Sequence, residues 1–487
     1  MKFKGRTVIV FILLTMTASV LVTLTAVDPS VMGKFSSRSG LVSAQNGSQG
    51  GLAKDESEKI DTVLSLIETK YLEKVDRANL IDGAINGMLG ALGDPYSTYM
   101  EKKVADQFSE SIEGSFTGIG AEVAMENGKI TVVAPIRDSP AERAGLLPKD
   151  VLLSVNGESL DGLQLNEAVA KIRGPKGTKA KLQISRVGVS APVQLVLTRD
   201  DIDVETVYAS MLPDKIGKIE IRQFSMNTGE RFTAELEKLE KQGMKGLIID
   251  VRNNPGGVLP VVIGVAQPFI KAGEPIVQVE DRNGEVDKTL SKGTGKNYPI
   301  SVLINKGSAS ASEVLAGALK EKAGANLIGE TTFGKGTVQV SYNKVLKDGS
   351  LVKMTIAKWL TPDGNWIHTT GIKPDLEVLP PEFYSAPRLS KSETLQPEML
   401  GDEVRSMQLM LAGLGYKLDR TDGYYSAGTL KAVKEFQHDA GLTETGKVDK
   451  NTAAKLEEQI ITWVRDENND KQLAAAVSDV KKRLGAK

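Results

Sequence analysis

Three apolar runs of strand length, Ile219–Ile221, Gly246–Val251 and Ile300–Ile304, alternate with helical stretches between residues 216 and about 375. A strand that is apolar at consecutive positions, rather than at every second one, has neighbours on both faces. The stretches Thr228–Lys241 and Ser312–Lys322 carry helical patterns and can supply that cover. This is βαβ logic, and it predicts an α/β layer around a sheet.

One such layer does not use up 487 residues; at roughly 100–200 residues per domain, two to four domains are expected. Residues 112–200 hold short β runs, Ala121–Val123, Lys129–Val133, Val151–Val155 and Lys181–Ser185, with one helix near Asn166–Ile172 and frequent Gly and Pro. Upstream, Ile60, Val63, Leu64, Ile67, Tyr71 and Leu72, then Leu80, Ile81, Ile85, Met88 and Leu89, mark two amphipathic helices. These either pack on the core or join a second copy of the chain. The expected division is a hydrophobic leader at 1–27, a tether at 28–53, a helical segment at 54–111, a mostly-β domain at 112–200 and the α/β core at 201–380. A linker at 381–399, a small all-α domain at 400–460 and a charged helix at 461–487 complete it.

The leader sets the compartment. Lys2, Lys4 and Arg6 precede an uncharged run of twenty residues, Val8 to Val27. At about 1.5 Å per residue, such a run spans the ~30 Å hydrocarbon core of a bilayer. The basic flank stays cytoplasmic, so the rest of the chain is predicted outside. A cleaved signal peptide is the competing reading, although its apolar region is usually about 7–15 residues. Both readings export the chain, as a single-pass anchored or a secreted protein. With 61 basic against 62 acidic residues and no long basic run, no nucleic-acid partner is expected.

Cysteine is absent, which excludes disulfides, thiol nucleophiles and Cys-type zinc sites. Histidine occurs only as His368 and His438, so a Ser–His mechanism must draw on these two. No metal or cofactor is expected. After Ile300–Ile304 comes Asn305-Lys-Gly-Ser-Ala-Ser-Ala-Ser-Glu313 and then a helix, Val314 onward. A serine between strand and helix, flanked by the small Ala309 and Ala311, has the mechanics of a nucleophile elbow. Ser308 and Ser312 stand where the usual glycines would be, and Ser312-Glu313 also reads as an ordinary helix start. For a base, His438 lies in the all-α segment and His368 in a loop, while Lys335 sits between Gly334 and Gly336 ahead of a strand at Thr337–Tyr342. A lysine serves only if its pKa falls from ~10.4 towards 7, about 4 kcal/mol against the charged form. Burial in an apolar pocket can supply that shift; a solvated turn lysine is the alternative, and the histidines stay open. The spacing of a phosphate loop is missing.

Gly246-Leu-Ile-Ile-Asp-Val-Arg-Asn-Asn-Pro-Gly-Gly257, Gly307-Ser-Ala-Ser-Ala-Ser-Glu313 and Gly329-Glu-Thr-Thr-Phe-Gly-Lys-Gly-Thr-Val-Gln339, read together, resemble the carboxy-terminal processing (tail-specific) proteases in content, order and spacing. The resemblance implies Ser310 as nucleophile, Lys335 as base and Gln339, four residues on along a strand, as the group that orients the lysine. It implies an oxyanion hole from the amides of Ala311 and of Gly256 or Gly257, and makes Ser308 and Ser312 decoys. Residues 112–200 resemble a PDZ domain. Thr117, Gly118, Ile119 and Gly120 fall in its carboxylate-binding loop, followed by Ala121-Glu-Val123 as the strand beside which a peptide adds. Lys149-Asp150 departs from the usual Gly-Asp turn. Arg173 is the candidate that couples this domain to the core. Residues 400–456, with Gly413-Leu-Gly-Tyr416, Asp422-Gly423 and Phe436-Gln437, resemble a peptidoglycan-binding domain and predict a three-helix bundle.

The reading is therefore a multidomain protein, an α/β protease core with an inserted mostly-β PDZ domain, an N-terminal helical segment and a small C-terminal all-α domain. It acts on proteins or peptides with free C-termini, with peptidoglycan as a further partner and a homodimer as the expected assembly. The alternative is a non-catalytic scaffold that binds peptides and cell wall. A penicillin-recognising acyl-enzyme needs Ser-x-x-Lys at a helix start. The instances at Ser341 and Ser350 fall in strands, and the one at Ser478 lies inside the terminal helix.

Overall fold

The computed structural model describes residues 51–485 apart from 127, 137, 190, 344 and 390–392. The hydrophobic leader and almost all of the tether lie outside them. Among the described residues no helix is long and apolar enough to cross a membrane.

The apolar runs form a six-stranded sheet in the order Val207–Leu212, Ile216–Ile221, Gly246–Asp250, Ile300–Ile304, Asn326–Gly329, Leu376–Glu377. The first pair is antiparallel and the others parallel. Gly246–Asp250 and Ile300–Ile304 are buried at every position, as strands covered on both faces must be. Leu247, Ile249, Val302 and Ile304 pack with Phe232 and Leu236 of the helix Thr228–Lys241 and with Val314 and Leu315 of the helix Ala311–Ala323. Ile216, Ile248, Leu303 and Ile328 face the other way and are covered by Leu473, Ala476 and Val480 of the terminal helix, Lys471–Gly485. That helix comes so close that a side chain at Gly246 would meet Val480 at 2.4 Å.

A second, antiparallel sheet is centred on the long strand Leu351–Leu360, which pairs with Thr337–Tyr342, Thr98–Met100 and Pro275–Asp281; the last pairs with Val286–Leu290. Of these, the sequence reading marks Thr337–Tyr342 and a strand at Ser350 onward, but not Thr98–Met100, Pro275–Asp281 or Val286–Leu290. The inserted β domain orders its strands Ala121–Glu126, Lys129–Pro135, Val151–Val155, Lys179–Ser185, Val193–Thr198, so Ala121–Glu126 is an edge. Its entry and exit strands, Ser115–Gly118 and Asp200–Asp203, pair with each other.

Helices Asp402–Gly413, Ala427–Asp439 and Lys450–Arg465 form the expected three-helix bundle around Met407, Leu411, Val433 and Phe436. The stretch expected as linker contributes Phe383, Leu389 and Leu395 to that core, because its apolar residues are too few to pattern but large enough to bury. The two N-terminal helices, Lys54–Lys70 and Arg77–Gly90, bury none of their residues. Helix Arg77–Gly90 nonetheless touches strand Thr98–Met100, where the buried Tyr99 donates its hydroxyl to Asp82 Oδ1 at 2.8 Å; much of the apolar stripe of both helices stays uncovered within one chain.

Candidate active site

Strand Ile300–Ile304 ends in the turn that carries the three serines. Ser310 sits at φ 58° and ψ −109°, a region that a residue with a Cβ occupies only when its surroundings impose it. Ser308 Oγ donates to Val251 O at 2.8 Å and accepts from Asn305 N–H at 3.0 Å. Ser312 Oγ donates to Asn254 O at 2.8 Å. Both flanking serines are thus committed to the turn after strand Gly246–Asp250. Ser310 Oγ is fully buried and has no hydrogen-bond partner. A helix-capping serine would accept the amide of the residue three positions on; the twist at Ser310 withholds that bond, and Glu313 N–H bonds Ser310 O instead, at 2.9 Å.

Lys335 is fully buried, with Nζ 4.7 Å from the centre of the Tyr96 ring. Burial holds its pKa well below the usual lysine range. A second buried lysine, Lys353, pushes the same way, while the carboxylates of Asp94 and Glu313 oppose. Lys353 is itself lowered to about 8 by burial. Trp359 Nε1–H donates to Lys335 O at 2.7 Å, and Lys335 N–H to Glu313 Oε2 at 2.8 Å, so the backbone of this loop is fixed on both sides.

Gln339 Nε2 donates to Thr337 Oγ1 and Thr355 Oγ1 at 2.9 and 3.0 Å, and its buried Oε1 has no partner. The strand begins only at Thr337 and is irregular between Val338 and Gln339, so the same-face count from Lys335 does not hold along it. Gly256 has φ 108°, and a Cβ there would meet Ala309 O at 2.8 Å and Ser310 Cβ at 3.0 Å, so only glycine lets this loop lie against the serine turn. Its amide donates to Asn254 Oδ1 at 2.9 Å. The amides of Gly257 and Ala311 have no hydrogen-bond acceptor among the described residues.

His368 stacks on Trp366 with ring centres 5.1 Å apart, and its Nδ1 accepts Gly336 N–H at 3.3 Å. It is held beside the lysine loop. His438 lies on the bundle, exposed and bonded to Glu444 at 2.9 Å. An open cavity of about 560 Å³ next to Lys335 is lined by Asp94, Pro95, Tyr96, Phe333, His368 and Thr369 among others.

In the inserted domain Thr117 and Gly118 pair with Asp201 and Asp200, and Thr117 Oγ1 donates to Asp201 Oδ1 at 3.2 Å. Ile119 is buried, its carbonyl accepting Ala141 N–H at 2.8 Å. Gly120 leads at φ 77° into the edge strand. Arg173 Nη1 bonds Glu110 Oε2 at 2.6 Å and lies over the Phe116 ring at 4.8 Å. Glu110 belongs to helix Lys102–Glu113, which follows the strand Thr98–Met100 and hence the Asp94–Ser97 segment beside Lys335. The sequence reading misses Asp94, Tyr96, Glu313 and Lys353. Lys353 has one local signal, a cation at an inward position of an alternating strand.

Residues 215–378 match peptidase family S41, 24–104 the activating protease CtpB N-terminal domain, 131–186 a PDZ domain and 401–456 a peptidoglycan binding domain. The carboxy-terminal processing protease CtpB of Bacillus subtilis is 46% identical over 427 residues, 87% of this chain and 88% of its own. CtpA of the same organism is 42% identical over 465 residues, 95% and 98% of the two chains. Among solved structures, the photosystem II D1 C-terminal processing protease is 30% identical with a TM-score of 0.39, over 65% of this chain and 86% of its own.

Proposed function

This chain belongs to the carboxy-terminal processing serine proteases, peptidase family S41, and from that premise we propose that it cleaves exported proteins at or near exposed, flexible C-termini with Ser310 as nucleophile and Lys335 as base. The observation that carries the assignment is the contrast among three serines. Ser308 and Ser312 are spent on main-chain carbonyls, while Ser310 Oγ is buried, strained into place and unpartnered.

Neutral Lys335 takes the proton of Ser310 as Oγ attacks the peptide carbonyl, then returns it to the leaving amine. Water, deprotonated in the same way, releases the acyl group. The unspent amides of Ala311 and Gly257 receive the oxyanion, each worth about 3–4 kcal/mol; Gly256, with its amide on Asn254, shapes the loop. Gln339 Oε1 is the acceptor that orients the lysine ammonium during transfer. Because Ser310 Oγ has no partner in this state, transfer requires a side-chain swing that brings it to Lys335. We assign that step to peptide capture at the edge strand Ala121–Glu126, relayed through Arg173, Glu110 and the segment carrying Tyr96. The exposed Ile60, Val63, Leu66 and Met88 of the N-terminal helices suit a second copy of the chain, and the C-terminal bundle suits peptidoglycan.

The test is cleavage of an unfolded protein by the full chain in detergent. Ser310→Ala and Lys335→Ala abolish it, and the wild-type rate rises with pH as Lys335 loses its proton. Cleavage that survives in both variants sinks the assignment.

A further inference from the structure

Glu313 has no part in the mechanism above, yet it is a fully buried carboxylate between the two reacting segments. Its Oε2 accepts Ser310 N–H at 2.7 Å and Lys335 N–H at 2.8 Å. Its Oε1 accepts Thr332 Oγ1–H at 2.6 Å and Gly334 N–H at 2.7 Å. Four donors use every lone-pair direction of the group. The residue starts as the third position of helix Ala311–Ala323, where a glutamate ordinarily caps its own helix and faces water. Here three of its four bonds go to the loop Thr332–Lys335. Burial pushes its carboxyl pKa up, and the four donors oppose. A buried carboxylate is costly to keep, and a neutral cap would have served the helix alone.

We propose that Glu313 is a positioning residue that sets the distance between Ser310 and Lys335, by holding the main chain of both on one carboxylate oxygen. The inference rests on the Ser310–Lys335 reading. The clamp acts on backbone, so it fixes where each side chain begins while leaving the side chains free to swing. An amide in place of the carboxylate keeps the shape but turns one oxygen into a donor, so whichever way it lies its NH₂ meets main-chain N–H, either Gly334 at the Oε1 site or Ser310 and Lys335 at the Oε2 site. In both orientations the hold of the carboxylate on the loop Thr332–Lys335 is weakened.

The groups facing Lys335 are Lys353, Asp94, Glu313 and the Tyr96 ring. Glu313 is one of the two charges that favour the protonated lysine, so its removal lowers the pH at which the base becomes neutral. The experiment compares Glu313→Gln with wild type, with Ser310→Ala and Lys335→Ala as controls, on a peptide substrate across pH. Expected are a thermal transition retained, kcat lowered by about 100-fold as for a misplacement of about 1 Å, KM within about threefold, and the acid limb of the pH profile moved to lower pH. A kcat within about threefold of wild type, or a loss with the acid limb unmoved, overturns the proposal. If Glu313→Gln does not fold, Thr332→Val removes one of the four bonds. It should lower kcat about tenfold, near the value of one hydrogen bond to a charged group, and an unchanged kcat overturns the proposal. Controls that retain cleavage would instead remove the Ser–Lys reading, whatever Glu313 does.

Discussion

The two ends of the described chain carry amphipathic helices, and they meet opposite fates. The terminal helix Lys471–Gly485 lays Leu473, Ala476 and Val480 on the open face of the parallel sheet. It adds polar contacts that fit only there: Ser301 Oγ and Asn326 Nδ2 donate to Asp479 at 2.8 and 2.7 Å. Arg252 Nη1 and Nη2 donate to Asp470 at 3.0 and 2.7 Å, and Gln472 Nε2 donates to Val378 O at 2.7 Å. The N-terminal helices bury no residue fully, leaving Val63, Leu66 and Met88 more than half exposed. An apolar stripe states that a helix will be covered but not by what. The address of the C-terminal helix is written in its partners: a glycine at 246, a sheet face of Ile216, Ile248, Leu303 and Ile328, and an arginine in need of a carboxylate.

The comparison breaks most easily by truncation. Removing residues 466–487 exposes those four sheet residues and loses Leu473 and Val480. At about 1.5–3 kcal/mol per side chain the six come to about 9–18 kcal/mol, as much as the whole stability of a domain. The expected result is an insoluble chain or one without a cooperative melt. Removal of residues 51–75, the first of the two arm helices, leaves the melting temperature of the core where it was. Equal melting temperatures for the two truncations would show that the C-terminal helix is as dispensable as the arm.

Arg252→Met is the next largest. Its guanidinium bonds Asp250 Oδ1 and Oδ2 at 2.9 and 2.6 Å as well as Asp470, and its loss strands two largely buried carboxylates. Breaking such a network costs about 3–5 kcal/mol, read as a lower urea midpoint with Ser310 labelling by an acylating probe weakened in parallel, since Arg252 opens the turn that leads to Gly256.

A smaller, pH-dependent effect sharpens the same point. Burial pushes the Asp470 carboxyl up, but bonds to Arg252 win and hold it below the usual range. A depressed carboxyl contributes stability above its unfolded pKa of about 3.9 and loses it as pH falls through the folded value. Asp470→Asn should therefore melt earlier than wild type at pH 7, with the gap closing below about pH 4. A gap that persists in acid would mean that the ion pair is not what anchors the helix.

The parallel sheet is legible in the sequence because continuous apolar runs such as Gly246–Asp250 have few alternatives. The antiparallel sheet is not. Leu351–Leu360 is buried only at Leu351, Lys353, Trp359 and Leu360 and carries Lys353 and Lys358, so nothing local marks it as the strand on which a five-stranded sheet is centred. The site follows the same division. Ser310 and Lys335 are found by motif, but the feature that separates Ser310 from its neighbours is made by Val251 and Asn254 in the turn after another strand, and the lysine is covered in part by Tyr96, more than two hundred residues earlier in the chain. Glu313 reads as a helix cap because only its helix is visible in sequence; the loop it holds comes later.

The smallest effect on stability belongs to the arm, and it tests the other half of the comparison. Leu66→Asp places a charge on a residue that is 53% exposed, so the folding free energy should move by less than about 0.5 kcal/mol. If the stripe is covered by a second copy, the same change places that charge in an apolar interface, and the mass by light scattering falls from two chains to one at a concentration where wild type stays paired. A variant that keeps both its melting temperature and its mass leaves the stripe without a partner of its own kind. The two ends would then differ in more than the address of their cover: one would bind within the chain, the other only to something outside it.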